Sequence, residues 1–206
     1  MKDLIIIGAG NVGGFLALNQ ELFEESYQIR GFLDDAPEKQ GEQFWGIPVL
    51  GKIDIINEFK DCAIAVGISN PKTKKRILQK IGVDFHFPSF VSKNSWISNR
   101  VKIGKGTIIY PNVSVNHETQ IDDFVIINMN CAIGHDCRLK NGCALAPGVN
   151  LGGFTTVGAY AEIGIGACTI QNIKIGEGAV IGGQTMLLTD VESFSTFIGI
   201  PGKKKL

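Results

Sequence analysis

From Ile97 onward the apolar positions recur every six residues. Stepping by six gives Ile103, Ile109, Val115, Ile121, Ile127, Ile133, Leu139, Leu145, Leu151, Val157, Ile163, Thr169, Ile175, Ile181 and Leu187, and only Thr169 is not aliphatic. Four places after each lies a second series of small or β-branched residues, running from Val101 and Thr107 through Cys131, Cys137 and Cys143 to Thr185 and Val191. A period of six fits neither an α-helix nor a simple alternating strand. It fits a triangular coil in which each six-residue unit is one face, with the aliphatic residue pointing inward and the small residue at the corner. Glycines follow several aliphatic positions, as at Gly104, Gly164, Gly176 and Gly182, and are expected where the backbone turns tightly. The phase does not slip, so no insertion is expected, and the coils stack at the ~4.8 Å spacing of a parallel sheet.

The first 88 residues follow another rule. Leu4 to Ile7 is a continuous apolar run, read as a buried parallel strand. The turn Gly8-Ala9-Gly10-Asn11-Val12-Gly13 follows, then a helix from Phe15 to about Phe23 and a strand from Tyr27 to Leu33. Val49 to Ile53 reads as a short connection, Asp54 to Phe59 as a helical turn, and Ala63 to Val66 as a strand ending at Gly67. Pro71 opens a helix to Ile81. This is an α/β Rossmann-like unit, residues 1–88, ahead of an all-β repeat domain, residues 89–206. The Gly-x-Gly-x-x-Gly turn suits a pyrophosphate, and the acidic pair Asp34-Asp35 suits a ribose or a hydroxylated ring. The unit offers one mononucleotide-binding half, which favours one nucleotide over a dinucleotide.

Apolar residues make up 44% of the chain and charged residues 19%, enough for a sizeable core. Positive and negative side chains number 20 each, so neither a nucleic acid nor an anionic membrane is an expected partner. No apolar run reaches the ~18 residues of a membrane span, and no signal-peptide pattern opens the chain, so a cytoplasmic protein is expected. Cys131, Cys137 and Cys143 step by six and fall on three different faces, so they read as packing residues and no metal site is expected. His86 reads as structural. His117 and His135 are one 18-residue coil apart, stack on the same face away from the core and corner positions, and are each followed by an acid, Glu118 and Asp136. A histidine beside a carboxylate suits a general base, and the pattern alone leaves both open.

The layout resembles the bacterial sugar acetyltransferases that include sialic acid O-acetyltransferases and UDP-4-amino-sugar N-acetyltransferases. The resemblance rests on the opening run Ile5 to Gly14, on Phe32-Leu33-Asp34-Asp35, on Ile64 to Gly67, on Ile127 to Cys137, on the hexapeptides, and on the closing Gly199-Ile200-Pro201-Gly202-Lys203-Lys204. It implies a left-handed parallel β-helix, a homotrimer, and acetyl-CoA as co-substrate in a groove between neighbouring chains. It implies His135 as the base with Asp136 tuning it, and Asn128 near the reacting centre. Gly8, Gly10, Asn11, Val12, Asp34, Asp35 and Gly67 match the nucleotide-sugar site, and Ile165 and Gly183 match coenzyme contacts. Where some members carry a second histidine nine residues after the base, this chain has Ala144.

The expected activity is therefore N-acetylation of a UDP-linked 4-amino-4,6-dideoxy sugar, with O-acetylation of sialic acid as the near alternative. A non-catalytic nucleotide-binding scaffold is the alternative from another class, opposed by His135-Asp136 and by the closing Pro201-Gly202-Lys203. An NAD(P) oxidoreductase is disfavoured by the short first domain.

Overall fold

The computed structural model describes residues 2–82 and 84–205. It comprises two compact units. One runs through Ser69 and again from Thr73 to Pro88, and the other is Asn70–Lys72 with the chain from Ser89 onward. Among the described residues, no helix is long and apolar enough to cross a membrane.

In the first unit β1 (Lys2–Ile7) is followed by α1 (Asn11–Leu18), β2 (Tyr27–Leu33), β3 (Gln43–Phe44), β4 (Ile47–Gly51), β5 (Ala63–Val66) and α2 (Pro71–Ile81). The sheet order is β3-β4-β2-β1-β5, parallel except for β3 against β4. Leu4 to Ile7 are fully buried in the middle of it, as a continuous apolar run requires.

Two expectations fail here. The helix starts at Asn11 rather than Phe15 and ends at Leu18, followed by a single 3-10 turn, Gln20–Leu22. Gly13 therefore lies inside it, where a Cβ would come 2.0 Å from the Gly8 carbonyl oxygen; the helix sits on the strand end because that side chain is missing. The stretch expected as a connection is β4, joined to β3 by a turn at Trp45 (φ 53°) and Gly46 (φ 77°). Both residues have the positive φ of a two-residue hairpin turn. Pro48 and the shortness of the strands hid the hairpin from a pattern search.

The second unit consists of stacked short strands, nearly all of two residues, in three sheets that are parallel except where Lys203–Lys204 runs against Thr196–Ile198. Face one carries Trp96–Ile97, Ser114–Val115, Ala132–Ile133, Asn150–Leu151, Cys168–Thr169 and Met186–Leu187. Face two starts at Lys102–Ile103 and face three at Phe90–Val91. Partners such as Ser114 and Ala132, Gln120 and Arg138, and Ile126 and Ala144 are each 18 residues apart. This is the left-handed parallel β-helix.

Both repeating series face inward. Ile127, Leu139, Val157, Cys137, Cys143 and Thr119 are all fully buried. The buried threonines satisfy their hydroxyls on neighbouring carbonyls: Thr107 Oγ1 donates to Asp122 O at 3.0 Å and Thr119 Oγ1 to Gly134 O at 2.8 Å. Thr169, the one polar residue at an aliphatic position, accepts from Gly152 N at 3.0 Å and shares a bond with the Thr155 hydroxyl at 3.1 Å. Burial pushes the Cys131 thiol up to about 11 and raises Cys137 too, which suits packing residues.

The turn chemistry differs from expectation. From Ile103 to Ile181 the left-handed residue lies three places after the aliphatic position, as at Asn112 (φ 60°), Glu118 (φ 56°), Asp136 (φ 56°) and Gly142 (φ 67°). The glycines one place after the aliphatic residue serve coil stacking instead. A Cβ on Gly158 would lie 2.5 Å from Glu177 N and 2.5 Å from Gly176 C, in the backbone of the next coil. The repeat also slips once. Val191 pairs with Ile175 and Phe197 with Ile181, so the last coil is two residues short. Val191 thereby takes an aliphatic place, 4% exposed, rather than a small-residue place.

Gly158→Val is expected to destabilise the protein by about 1–3 kcal/mol, as overpacking against backbone does. Ala159→Val, at the adjoining turn position, is expected to stay within about 0.5 kcal/mol. Urea unfolding of the two variants checks the difference.

Candidate active site

Each coil turns from face one to face two through a short corner. In one coil that corner is Gly134-His135-Asp136-Cys137. It is fixed from both sides. Gly134 N donates to Leu151 O at 2.9 Å, Asp136 N to His117 O at 3.0 Å, and Phe154 N to His135 O at 2.9 Å. The buried Thr119 hydroxyl donates to Gly134 O and accepts from Cys137 N at 3.1 Å. His135 stands two places after the buried Ile133 and is directed out of the prism, half-buried.

His135 Nδ1 lies 2.9 Å from Asp136 Oδ2, with both side chains 34% exposed. An ionised carboxylate only accepts, so the neutral imidazole carries its proton on Nδ1 and keeps the Nε2 lone pair free. Among the described residues Nε2 has no hydrogen-bond partner. His117 stacks on this ring one coil earlier, with centroids 5.3 Å apart and planes 20° apart. Its own acid is committed elsewhere: Glu118 Oε1 takes Arg100 Nη1 at 2.6 Å. The two histidine–acid pairs that look equivalent in sequence are thus different, and only His135 is oriented by its carboxylate. Phe154 meets the His135 ring edge-on at 4.9 Å and 85°. A Cβ on Gly153 would lie 2.8 Å from Nε2, so the bare glycine makes room for the ring. Sequence reasoning missed Gly153, Phe154 and Arg100. One step of 18 from His135 and Asp136, or from Glu118, would have found them.

The remaining expected residues are placed apart. Asn128 lies at the preceding corner of the same coil, where its Oδ1 accepts from Met129 N at 2.8 Å. Ile165, 61% exposed, and Gly183 lie at that same edge in later coils, where Ile165 O accepts from Gln184 N at 2.7 Å. Asn128, Ile165 and Gly183 therefore line one edge of the prism and His135 and Asp136 the next. Between them face one carries a shallow groove of about 460 Å³, lined by Ser114, Asn116, Gly134, Asn150, Gly152 and Cys168 among others.

In the first unit Asp34 meets the glycine turn, whereas Asp35 is engaged elsewhere. Asp34 Oδ2 accepts from Ala9 N at 2.9 Å and from Lys39 Nζ at 2.8 Å, and its Oδ1 from Ala36 N at 3.0 Å. Burial pushes the Asp34 carboxyl up, but the bonds from Lys39, Ala36 and Ala9 outweigh it and hold the group below the usual carboxylate value. Asp35 Oδ1 caps Ile53 N at 2.9 Å and its Oδ2 faces Lys80 at 3.3 Å. Gly67 N donates to Ile7 O at 2.8 Å, and a Cβ on Gly67 would lie 2.9 Å from Gly13 Cα, so Gly67 is needed for packing. Gly8 (φ 98°) makes the turn. Val12 is buried, Asn11 is exposed, and a Cβ on Gly10 would meet nothing within 4 Å. Gly10 and Asn11 are the open part of the turn, with the unforeseen Lys39 ammonium 3.2 Å from Ala9 O.

The chain thus combines a hexapeptide β-helix with a half-buried histidine–carboxylate pair at one corner. The PglD N-terminal domain family matches residues 3–81. The acetyltransferase domain of PglB from Neisseria gonorrhoeae, solved with acetyl coenzyme A, is 28% identical, covers 99% of both chains and has a TM-score of 0.90. A histidine-to-asparagine mutant of perosamine N-acetyltransferase from Caulobacter crescentus, solved with CoA and GDP-perosamine, is 25% identical. It covers 100% of this chain and 98% of that one, with a TM-score of 0.90. Serine acetyltransferase of Bacillus subtilis is 33% identical over 111 residues, so the chain spans about half the length, 51%, of that curated relative. Residues 3–81 thus match a PglD-type N-terminal domain, and the whole chain is similar in fold to solved bacterial sugar acetyltransferases.

The depressed Asp34 carboxyl adds stability that is present above its ordinary value of 3.8 and is lost as pH falls through its lower folded value. Asp34→Asn is expected to lower stability at pH 7 by about 1–3 kcal/mol, with the gap to the parent protein closing below that range. Melting curves from pH 2 to about 7 measure it.

Proposed function

We propose that the protein transfers the acetyl group of acetyl-CoA to the amino group of a nucleotide-linked sugar. Residues 1–88 act as the nucleotide-sugar-binding domain and residues 89–206 as the acetyltransferase domain. The observation that carries this is His135, with Nδ1 held by Asp136 at 2.9 Å and Nε2 unengaged. Nε2 takes a proton from the sugar amine as the amine nitrogen attacks the thioester carbon. The tetrahedral intermediate collapses, the carbon–sulfur bond breaks, and the imidazolium returns the proton to the departing thiolate. Asp136 fixes the tautomer and stabilises the imidazolium. His117 has no such carboxylate and acts through ring stacking alone.

The separation of His135 from Ile165 and Gly183 on different prism edges supports a homotrimer, in which acetyl-CoA lies between edges of neighbouring chains; cyclic closure is the usual outcome for such surfaces. The open turn at Gly10 and Asn11, at the start of α1, suits the diphosphate of the sugar nucleotide. The solved neighbour with GDP-perosamine supports an amino-sugar acceptor. The UDP-linked 4-amino-4,6-dideoxy sugar is our first acceptor to test.

Thiol release from acetyl-CoA is measured with UDP-linked amino sugars, GDP-linked amino sugars and sialic acid. Turnover with a nucleotide-linked amino sugar is expected, and release with sialic acid alone makes the enzyme an O-acetyltransferase instead. His135→Ala is expected to lower kcat by about 10²–10⁴, Asp136→Asn by less, and His117→Ala to keep most activity. If His117→Ala is inactive and His135→Ala nearly unaffected, the base belongs to the other coil.

A further inference from the structure

Among the described residues, the left-handed turn position of the β-helix carries an aromatic side chain at Phe124 (φ 57°), Phe154 (φ 62°), Tyr160 (φ 55°) and Phe194 (φ 58°). This backbone is costly for a bulky residue, so each needs a compensating contact. Three have one in common. Gly106, Gly142 and Gly178 hold the same position one coil earlier, and a Cβ on them would lie 2.5, 2.4 and 2.6 Å from a ring carbon of Phe124, Tyr160 and Phe194. Each of these rings lies over a glycine.

Phe154 breaks the rule. The residue one coil earlier is Asp136, not glycine, and the ring lies against His135 instead, edge-on at 4.9 Å. It is 48% exposed, so it adds little to the core. Elsewhere on this edge the same position holds Arg100, Glu118 and Asn172. A strained, exposed aromatic touching the imidazole of the proposed base has no packing reason to be there, and strain of this kind points to function.

We infer that Phe154 is a positioning residue for His135, an inference that rests on the reading of His135 as the base. Asp136 holds one ring nitrogen, which fixes a point and not a plane. His117 stacks along one side of the ring, Gly153 leaves it room, and Phe154 closes the edge through which the imidazole would otherwise swing into solvent. With the edge closed, Nδ1 stays on Asp136 and Nε2 keeps one direction. Misplacement of a catalytic group by ~1 Å costs about 10²-fold, so a loose ring is a slow base even with Asp136 intact.

The decisive variant is Phe154→Asn. Asparagine holds this turn position at Asn112, Asn130 and Asn172 with φ of 60°, 60° and 62°, so the backbone keeps its conformation and sheds its strain. Its melting temperature is expected to be unchanged or raised. Its kcat is expected to fall by about 10- to 100-fold with KM for acetyl-CoA and for the sugar nucleotide unchanged, and Phe154→Tyr is expected to retain the parent kcat. Nitrogen-15 spectra of the histidine rings are expected to show one Nδ1–H tautomer for His135 in the parent protein and a mixture in Phe154→Asn. In an Asp136→Asn background Phe154→Asn is expected to add little, since both loosen the same ring. A Phe154→Asn protein with parent kcat and a single tautomer overturns the inference, as does a raised KM for acetyl-CoA with kcat intact, which makes Phe154 a coenzyme contact. If His135→Ala keeps full turnover, the base assignment fails by itself, and the nitrogen spectra still decide whether Phe154 orders the ring.

Discussion

The whole β-helix hangs on one constraint: each coil must return to register with the one before it, which all but the last do after three six-residue units. Parallel pairing then links residues 18 places apart in every coil but the shortened last one, with hydrogen bonds such as Ala132 N to Val149 O and Asp136 N to His117 O repeating from coil to coil. Two-residue strands have almost no stability alone. They persist because a continuous column of Ile, Leu and Val fills the prism and a second column of Thr, Cys and Ala fills its corners. A charge or an insertion in either column would throw every later turn off its edge.

That register is also what builds the site. A turn residue has no freedom to choose its neighbours; they are the residues 18 before and 18 after. His135 therefore has His117 on one side and Gly153 on the other, and Asp136 has Glu118 and Phe154. The corner is rigid because the coils on either side each hold its backbone, and the hydroxyl of Thr119 ties its two ends together from inside the prism. A histidine on such a scaffold keeps its place without the flexible loops that carry most catalytic groups. The first unit follows a similar logic: Asp34, read as a ligand contact, accepts from Ala9 N of the glycine turn, from Ala36 N of its own loop and from the Lys39 ammonium.

Much of the fold was legible because its signals are local and periodic. The hexapeptide columns, β1, β2, β5 and α2 each follow from apolar pattern and end signals. The hairpin of β3 and β4 was not legible, because its strands are short, contain Pro48, and depend on pairing with β2 for their existence. The turn chemistry was misread for a similar reason. A glycine in sequence announces that a side chain is absent, without saying whether φ or a neighbouring coil forbids it; Gly142 is the first kind and Gly158 the second. The two-residue shortening before Val191 was invisible because Val191 satisfies the pattern in either place.

The sequence by itself determined the fold class, the two-domain order and the pair of stacked histidine–acid motifs, since each is a matter of spacing along one chain. Only the tertiary structure made the two pairs different. Arg100 takes the carboxylate of Glu118, while among the described residues no lysine or arginine pairs with Asp136, and that difference depends on which long side chains meet across coils. It decided as well that Phe154 faces a histidine where its three counterparts face glycine. Spacing fixes which backbone positions are neighbours; the side-chain directions that turn neighbours into partners exist only once the coils are stacked.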